Sequence, residues 1–330
     1  MLILAKASMA MMLGFVLSLI TGLFIIPLFR KLHFGQSVSH LINERHLKKE
    51  GTPTMGGLIF IIPVIVSLVL LYIKGSISIS YNLIIVIFVF LAYGFLGFMD
   101  DFLKIKYHNN NGLSLVTKFL IQMCIALVFF YLFMKGGGEP VLSVSFLNLY
   151  IPLGWTFGLF ILFLLVGTTN AVNITDGLDG LAGGLSAIAF FAYGVISWNA
   201  GWLEGYQEIA IFCFLLVGSL IGFLVFNTHP ARIFMGDLGS LALGGALASV
   251  AIVSRHEVSL AIIGGVFVIE TLSSLIQIIS IRYFHKKIFL KAPLHHHFEE
   301  LGWRETDIIK LFWVAGFILA MAAITYGVWL

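Results

Sequence analysis

Apolar positions in this chain gather into about ten runs, near 7–29, 55–73, 82–99, 118–134, 151–169, 181–197, 208–226, 239–254, 258–284 and 307–329. Each comes close to the roughly 20 apolar residues that cross a bilayer as a helix. The polar residues are confined to short links between them. This pattern predicts an all-α polytopic membrane protein with about ten transmembrane helices, forming one integral-membrane domain over 1–330. The first run is followed by Arg30 and Lys31 and reads as a permanent span rather than a cleaved signal. Residues 136–150 alternate (Val141, Ser143, Ser145, Leu147) after Gly136-Gly137-Gly138, which suggests a short β-hairpin in one link.

Charge then assigns the sides. Alternating spans place the links 30–54, 100–117, 170–180, 227–238 and 285–306, with their adjoining helix ends, on one face. That face collects fifteen of the nineteen lysines and arginines, leaving Lys6, Lys74, Lys135 and Arg255 opposite. The excess of basic residues makes the first face cytoplasmic and both termini extracytoplasmic. Composition agrees: 60% of residues are hydrophobic and 11% charged. A net charge of +3 gives no reason to expect a nucleic-acid partner. Cys124 and Cys213 fall inside apolar runs and read as small buried hydrophobes, not as a disulfide or metal pair.

The five cytoplasmic links carry the candidate chemistry. The first ends in Lys49-Glu50-Gly51-Thr52-Pro53-Thr54-Met55-Gly56-Gly57. Glycines that admit a close backbone, two hydroxyls and a lysine suit a phosphate or nucleotide, although a helix-entry turn has the same signature. The third span runs into Asp100-Asp101, followed by Lys104 and Lys106. Neighbours on a helix point ~100° apart, so the two carboxylates divide roles unless they merely solvate a helix end. The link Asn170-Ala171-Val172-Asn173-Ile174-Thr175-Asp176-Gly177-Leu178-Asp179-Gly180 holds two more carboxylates between two lipid-length runs. On a continuous helical turn Asp176 and Asp179 would share a face, and helix capping would explain one of them.

The fourth link, Asn227 to Ser240, places Asp237 at a helix start, as an anion-site neighbour or a simple cap, and Phe234 as a base-stacking ring or an interfacial anchor. The fifth contains Ala292-Pro293-Leu294-His295-His296-His297-Phe298-Glu299. Three successive histidines seldom converge on one zinc ion, so donors to a polyphosphate fit better, with a solvated patch as the plain reading. Five carboxylates (Asp100, Asp101, Asp176, Asp179, Asp237), several lysines and Gly-rich turns on one face suit Mg²⁺-assisted phosphoryl transfer.

These motifs together resemble the phospho-N-acetylmuramoyl-pentapeptide-transferase family, within the superfamily of polyprenyl-phosphate sugar-1-phosphate transferases. The likeness rests on Gly51 to Gly57, Asp100-Asp101, Asn170 to Gly180, Met235 to Ser240 and Ala292 to Phe298, and runs from about residue 20 onward. The resemblance implies transfer of phospho-N-acetylmuramoyl-pentapeptide from UDP-N-acetylmuramoyl-pentapeptide to undecaprenyl phosphate, giving lipid I and UMP with Mg²⁺. The setting implied is the bacterial cytoplasmic membrane, with the active site on the cytoplasmic face. By the same resemblance Asp237 is the Mg²⁺ ligand, Asp100 deprotonates or orients the lipid phosphate, and Asp101 is its essential neighbour. Lys49, Thr54, Asn173, Asp176, Gly177, Asp179, Asn227 and Phe234 surround the nucleoside. Lys104 and Lys118 hold diphosphate. His295, His296 and His297 meet the inner-face substrate, with His296 among the catalytic set. Sensitivity to nucleoside antibiotics and a homodimeric state are also implied.

A sister transferase using a UDP-N-acetylhexosamine without the peptide is the nearest alternative. A transporter is the alternative from another class, but it would need ionisable groups at mid-membrane, and only Glu270 lies deep. The ninth run is longer than a bilayer requires and contains Gly264-Gly265, so it should bend and open an apolar groove for the prenyl chain. Glu270, Ser274 and Gln277 share one of its faces and should point inward, Glu270 more as a structural pair than as a catalyst.

Overall fold

The computed structural model describes residues 2–32, 34, 51–107, 112–144, 149–199, 201 and 205–326. Lys49 therefore lies outside the described residues. The apolar runs form α1 (Leu2–Lys31), α2 (Leu58–Ile73), α3 (Tyr81–Lys106), α4 (Leu115–Lys135), α5 (Thr156–Thr175), α6 (Leu181–Asn199), α7 (Tyr206–Asn227) and α8 (Gly236–Val253). They continue with α9 (Glu257–Ile263), α10 (Gly265–Ile279), α11 (Leu294–Glu300) and α12 (Glu305–Ile324). Among the described residues nine helices are long and apolar enough to cross a membrane. The run near 55–73 gives the shorter apolar helix α2, 16 residues and about 24 Å long, entered through the buried Met55-Gly56-Gly57 turn.

Local chemistry sets several boundaries. Ser80 starts α3 by accepting the Leu83 amide at 3.3 Å, and Ser114 starts α4 by accepting that of Thr117 at 3.1 Å. Helix α5 stops at Thr175, one residue before the Asp176-Gly177 turn. Asp176 and Asp179 thus do not share a helical face as a continuous turn would have required. The strands of the expected hairpin pair, with β1 (Val141–Val144) antiparallel to β2 (Leu149–Pro152) and Val144 opposite Leu149, while Ser145 and Leu147 lie outside the described residues.

Helix α8 is the axis of the bundle. Every residue from Leu238 to Val253 is buried, and α3 and α5 flank it. Its run of Gly, Ala and Ser allows that close packing, which drives helix association where lipid removes the hydrophobic advantage. At its start, a Cβ on Gly97 of α3 would overlap the Asp237 carbonyl, so the two backbones meet there. The outward faces of α1 and α10 carry large exposed apolar side chains such as Phe24, Ile278 and Ile279, as a lipid-facing surface should.

The ninth apolar run is broken, as its length and Gly264-Gly265 suggested. It divides at Gly264 into α9 and α10, then ends in a π-helical turn over Ser280–Phe284. Glu270 and Gln277 turn inward and are buried, with Ser274 between them partly so.

Candidate active site

Four helix ends bring the charged residues together at one end of the bundle: the last turns of α3 and α5 and the first turns of α4 and α8. Asp237 is held from three helices. Lys118 Nζ lies 2.6 Å and Lys104 Nζ 3.1 Å from Asp237 Oδ2, while Asn173 Nδ2 donates to Oδ1 at 2.7 Å. Asn173 also donates to Ser240 Oγ at 2.8 Å, which joins α5 to α8 a second time. Asp237 is therefore no simple cap of α8, even though it sits in its first turn. That role falls to Asp101, whose Oδ2 accepts the Leu238 amide at 3.0 Å.

The adjacent aspartates do divide their work. Asp101 faces the start of α8, whereas Asp100 faces Lys104 at 2.6 Å and accepts the Leu113 amide at 2.8 Å. Both are almost fully buried. Gly236, with φ of 75°, completes the packing, since a Cβ there would meet Asp101 Oδ2 and Thr54 Oγ1. Carboxylate oxygens of Asp100, Asp101 and Asp237 lie within 4.8 Å of one another. Three carboxylates beside two ammonium groups carry one formal negative charge in excess. An all-oxygen donor set of this kind can hold a hard divalent cation.

The Gly-rich turn of the first link joins backbone to backbone. Gly56 and Gly57 amides donate to the Phe234 and Met235 carbonyls at 2.8 and 3.0 Å, and the Phe234 amide donates to Pro53 O at 2.8 Å. Gly56 and Gly57 thus allow the close contact with the Phe234 segment. Thr54 is buried against Gly236, and Phe234 is half-buried. Asn227 is buried and clasps the same loop, its Nδ2 donating to Ile233 O at 3.0 Å, while its Oδ1 has no partner.

Asp179 turns away from the three-aspartate cluster. It accepts the Ala231 amide at 3.1 Å and meets His229 Nδ1 at 3.0 Å, while Glu305 Oε2 lies 3.3 Å from the same nitrogen and Glu305 Oε1 accepts the Asp179 amide at 2.8 Å. Asp176 and Gly177 are half-buried in the intervening turn.

The histidine triplet lies on α11, where successive side chains diverge, and each ring has its own partner. His295 is fully buried, with Nδ1 2.8 Å from Glu270 Oε2 and its amide donating to Oε1 at 3.1 Å. This is the structural pairing expected for Glu270. His295 Nε2 has no partner and abuts Gly177, where a Cβ would overlap it. His296 meets Glu299 at 2.5 Å, and His297 Nδ1 accepts the Leu290 amide at 3.1 Å. Burial holds His296 below the ordinary imidazole range against the opposing pull of Glu299.

The residues that link motifs were not evident from the motifs themselves. His229 and Glu305 connect the third, fourth and fifth links, and Gln122 bonds Asn170 inside the bundle. Gln122 carried a signal, a polar residue deep within an apolar run.

Comparison with known proteins accounts for this arrangement. Residues 83–255 match the glycosyl transferase family 4 model, and residues 49–61 match phospho-N-acetylmuramoyl-pentapeptide-transferase signature 1. Curated relatives include the phospho-N-acetylmuramoyl-pentapeptide-transferases of Geobacillus sp. (strain WCH70), 46% identical over 98% of both chains, and Bacillus subtilis (strain 168), 45% identical over 97% of both. That of Oceanobacillus iheyensis is 44% identical over 94% of each chain. With such identity along nearly its whole length, the chain belongs to the phospho-N-acetylmuramoyl-pentapeptide-transferase family.

Proposed function

We infer that this chain transfers phospho-N-acetylmuramoyl-pentapeptide from UDP-N-acetylmuramoyl-pentapeptide to undecaprenyl phosphate, forming lipid I and releasing UMP. The observation that carries the reading is the convergence of Asp100, Asp101, Lys104, Lys118 and Asp237 at one end of a membrane-spanning bundle. Positioned cations beside a carboxylate cluster suit phosphoryl transfer, where catalysis is mostly alignment and charge stabilisation.

Mg²⁺ fits the oxygen donor set, with Asp237 as the principal ligand and Asp100 and Asp101 beside it. When bound, the ion supplies positive charge to the phosphoryl oxygens. Lys104 and Lys118 are the diphosphate contacts. Asp100, facing Lys104 and the Leu113 amide, is the group that orients or deprotonates the lipid phosphate. Thr54, Asn173, Asp176, Gly177, Asp179, Asn227 and Phe234, with Lys49 from outside the described residues, make the nucleoside side of the site. His295, His296 and His297 take the inner-face substrate, His296 within the catalytic set. Direct attack by the lipid phosphate is the preferred route, because a phosphate monoester is already a competent nucleophile. UMP exchange into the nucleotide substrate without lipid phosphate would instead require a covalent aspartyl intermediate.

The prenyl chain enters beside α10. Its π turn and the following loop border an open groove of about 380 Å³, lined by Gln277, Ile278, Ile281, Lys287, Leu290 and Lys291. Gln277 fixes that loop, accepting the Ile288 and Phe289 amides at 3.1 and 3.0 Å. The charge bias puts the aspartate end on the cytoplasmic face of the bacterial inner membrane, with both termini outside. A single domain over 1–330, a homodimer and inhibition by nucleoside antibiotics complete the proposal. UMP release by purified protein given both substrates, with and without Mg²⁺ and beside Asp237→Ala, tests it.

A further inference from the structure

One turn deeper than the charged cluster, the same three helices meet again through neutral groups. Gln122 of α4 is 1% exposed, and its Oε1 accepts Asn170 Nδ2 of α5 at 2.9 Å. Its backbone carbonyl accepts the Tyr93 hydroxyl of α3 at 3.3 Å, and Tyr93 is fully buried. Asn170 spends a second proton on Val166 O at 2.7 Å, which fixes its own rotamer.

The spacing ties this junction to the site above it. Gln122 lies four residues after Lys118, Asn170 three before Asn173, and Tyr93 seven before Asp100. Each interval returns to the same helix face. The helices joined at Gln122 are therefore those that present Asp100, Lys104, Lys118 and Asn173. Rotating or sliding α4 by a fraction of a turn would carry Lys118 Nζ away from Asp237, and at that depth the Gln122 side chain is the polar hold of α4 on α5 among the described residues.

We propose that Gln122 is a positioning residue for phosphoryl transfer, its side-chain bond to Asn170 setting the register of α4 against α5 that aims Lys118 at Asp237. The proposal rests on the transferase reading for its kinetic consequence but not for its geometric one. Gln122 touches neither the carboxylates nor the lysines, so it acts through Lys118.

A double-mutant cycle between Gln122→Leu and Lys118→Met measures this. In otherwise native protein, Gln122→Leu should lower kcat between about threefold and twentyfold, the span of single interhelical hydrogen bonds in bilayers, with KM for both substrates held within about twofold. In the Lys118→Met background the same change should cost nothing further. Amine-reactive labelling of Lys118, read by mass spectrometry, should rise several-fold in Gln122→Leu, a readout that needs no substrate. If Gln122→Leu does not fold, Gln122→Met takes its place in both assays. Equal losses in the two backgrounds, or Lys118 labelling unchanged from wild type, would overturn the proposal. Wild-type protein that releases no UMP would sink the transferase reading instead, and labelling alone then decides the role of Gln122.

Discussion

Lys118 and Asp237, 119 residues apart in sequence, lie 2.6 Å apart at the meeting point of two helix starts. The lysine is 14% exposed and so is the aspartate, which leaves the pair open to a substrate phosphate yet partly shielded from water. Replacing Lys118 with Met should lower kcat by about 10²-fold, the scale of losing one preorganised charge donor. A loss confined to KM would show that the ammonium serves binding alone.

Gly97 sets how closely α3 approaches α8. A methyl group there would press into the Asp237 carbonyl, a backbone atom that cannot rotate aside. Gly97→Ala should destabilise the bundle by about 1–3 kcal/mol, as overpacking does, and depress activity more than melting temperature because the aspartates move first. Wild-type kinetics in a detergent assay would refute this.

Glu270 and His295 are a buried pair within the bundle. Glu270→Leu strands the imidazole and the His295 amide together, and a loss of roughly 3–5 kcal/mol is expected from breaking such a pair. Glu270→Gln keeps an acceptor and should recover part of it. Thermal melting of the three proteins decides, with identical midpoints as the contrary result.

At the opposite end of α8, His256 and Glu257 are buried near β1, where Tyr193 donates to the His256 carbonyl at 3.0 Å. Burial pushes the Glu257 carboxyl up from 4.5 to about 8, partly offset by Arg255 and the Ser143 amide, and pushes the His256 imidazole down from 6.5 to about 4. The Glu257 contribution to stability is complete below pH 4.5 and lost as pH rises to about 8. That of His256 is complete above pH 6.5 and lost as pH falls toward 4. Between 4.5 and 6.5 the two slopes cancel. Hydrogen exchange of 141–144, corrected for intrinsic rates, should show weaker protection at pH 8 than at pH 6, and Glu257→Gln should erase the difference. Protection that grows with pH would contradict the assignment.

Much of this was legible because lipid imposes a strong code. Run lengths announced the spanning helices, Gly264-Gly265 announced the break before α10, and the alternation after Gly138 announced the hairpin. Helix α2 is shorter than its run because the run includes Met55, Gly56 and Gly57, which the fold uses as a turn against Phe234 and Met235. Asp100, Asp101 and Asp237 stood out as acids at helix ends. Their separate partners did not, because those depend on which helices adjoin α8, a tertiary fact with no local signature. The histidine triplet shows the same limit: three like residues in a row acquire three unlike partners once α11 forms.

The most direct test is UMP release from UDP-N-acetylmuramoyl-pentapeptide by detergent-purified protein, measured with undecaprenyl phosphate and Mg²⁺ present or withheld in turn. Release that needs all three components and vanishes in Asp237→Ala is the result expected. Undiminished release from Asp237→Ala, or none from folded wild-type protein, would contradict the assignment of the aspartate cluster as the centre of the transfer.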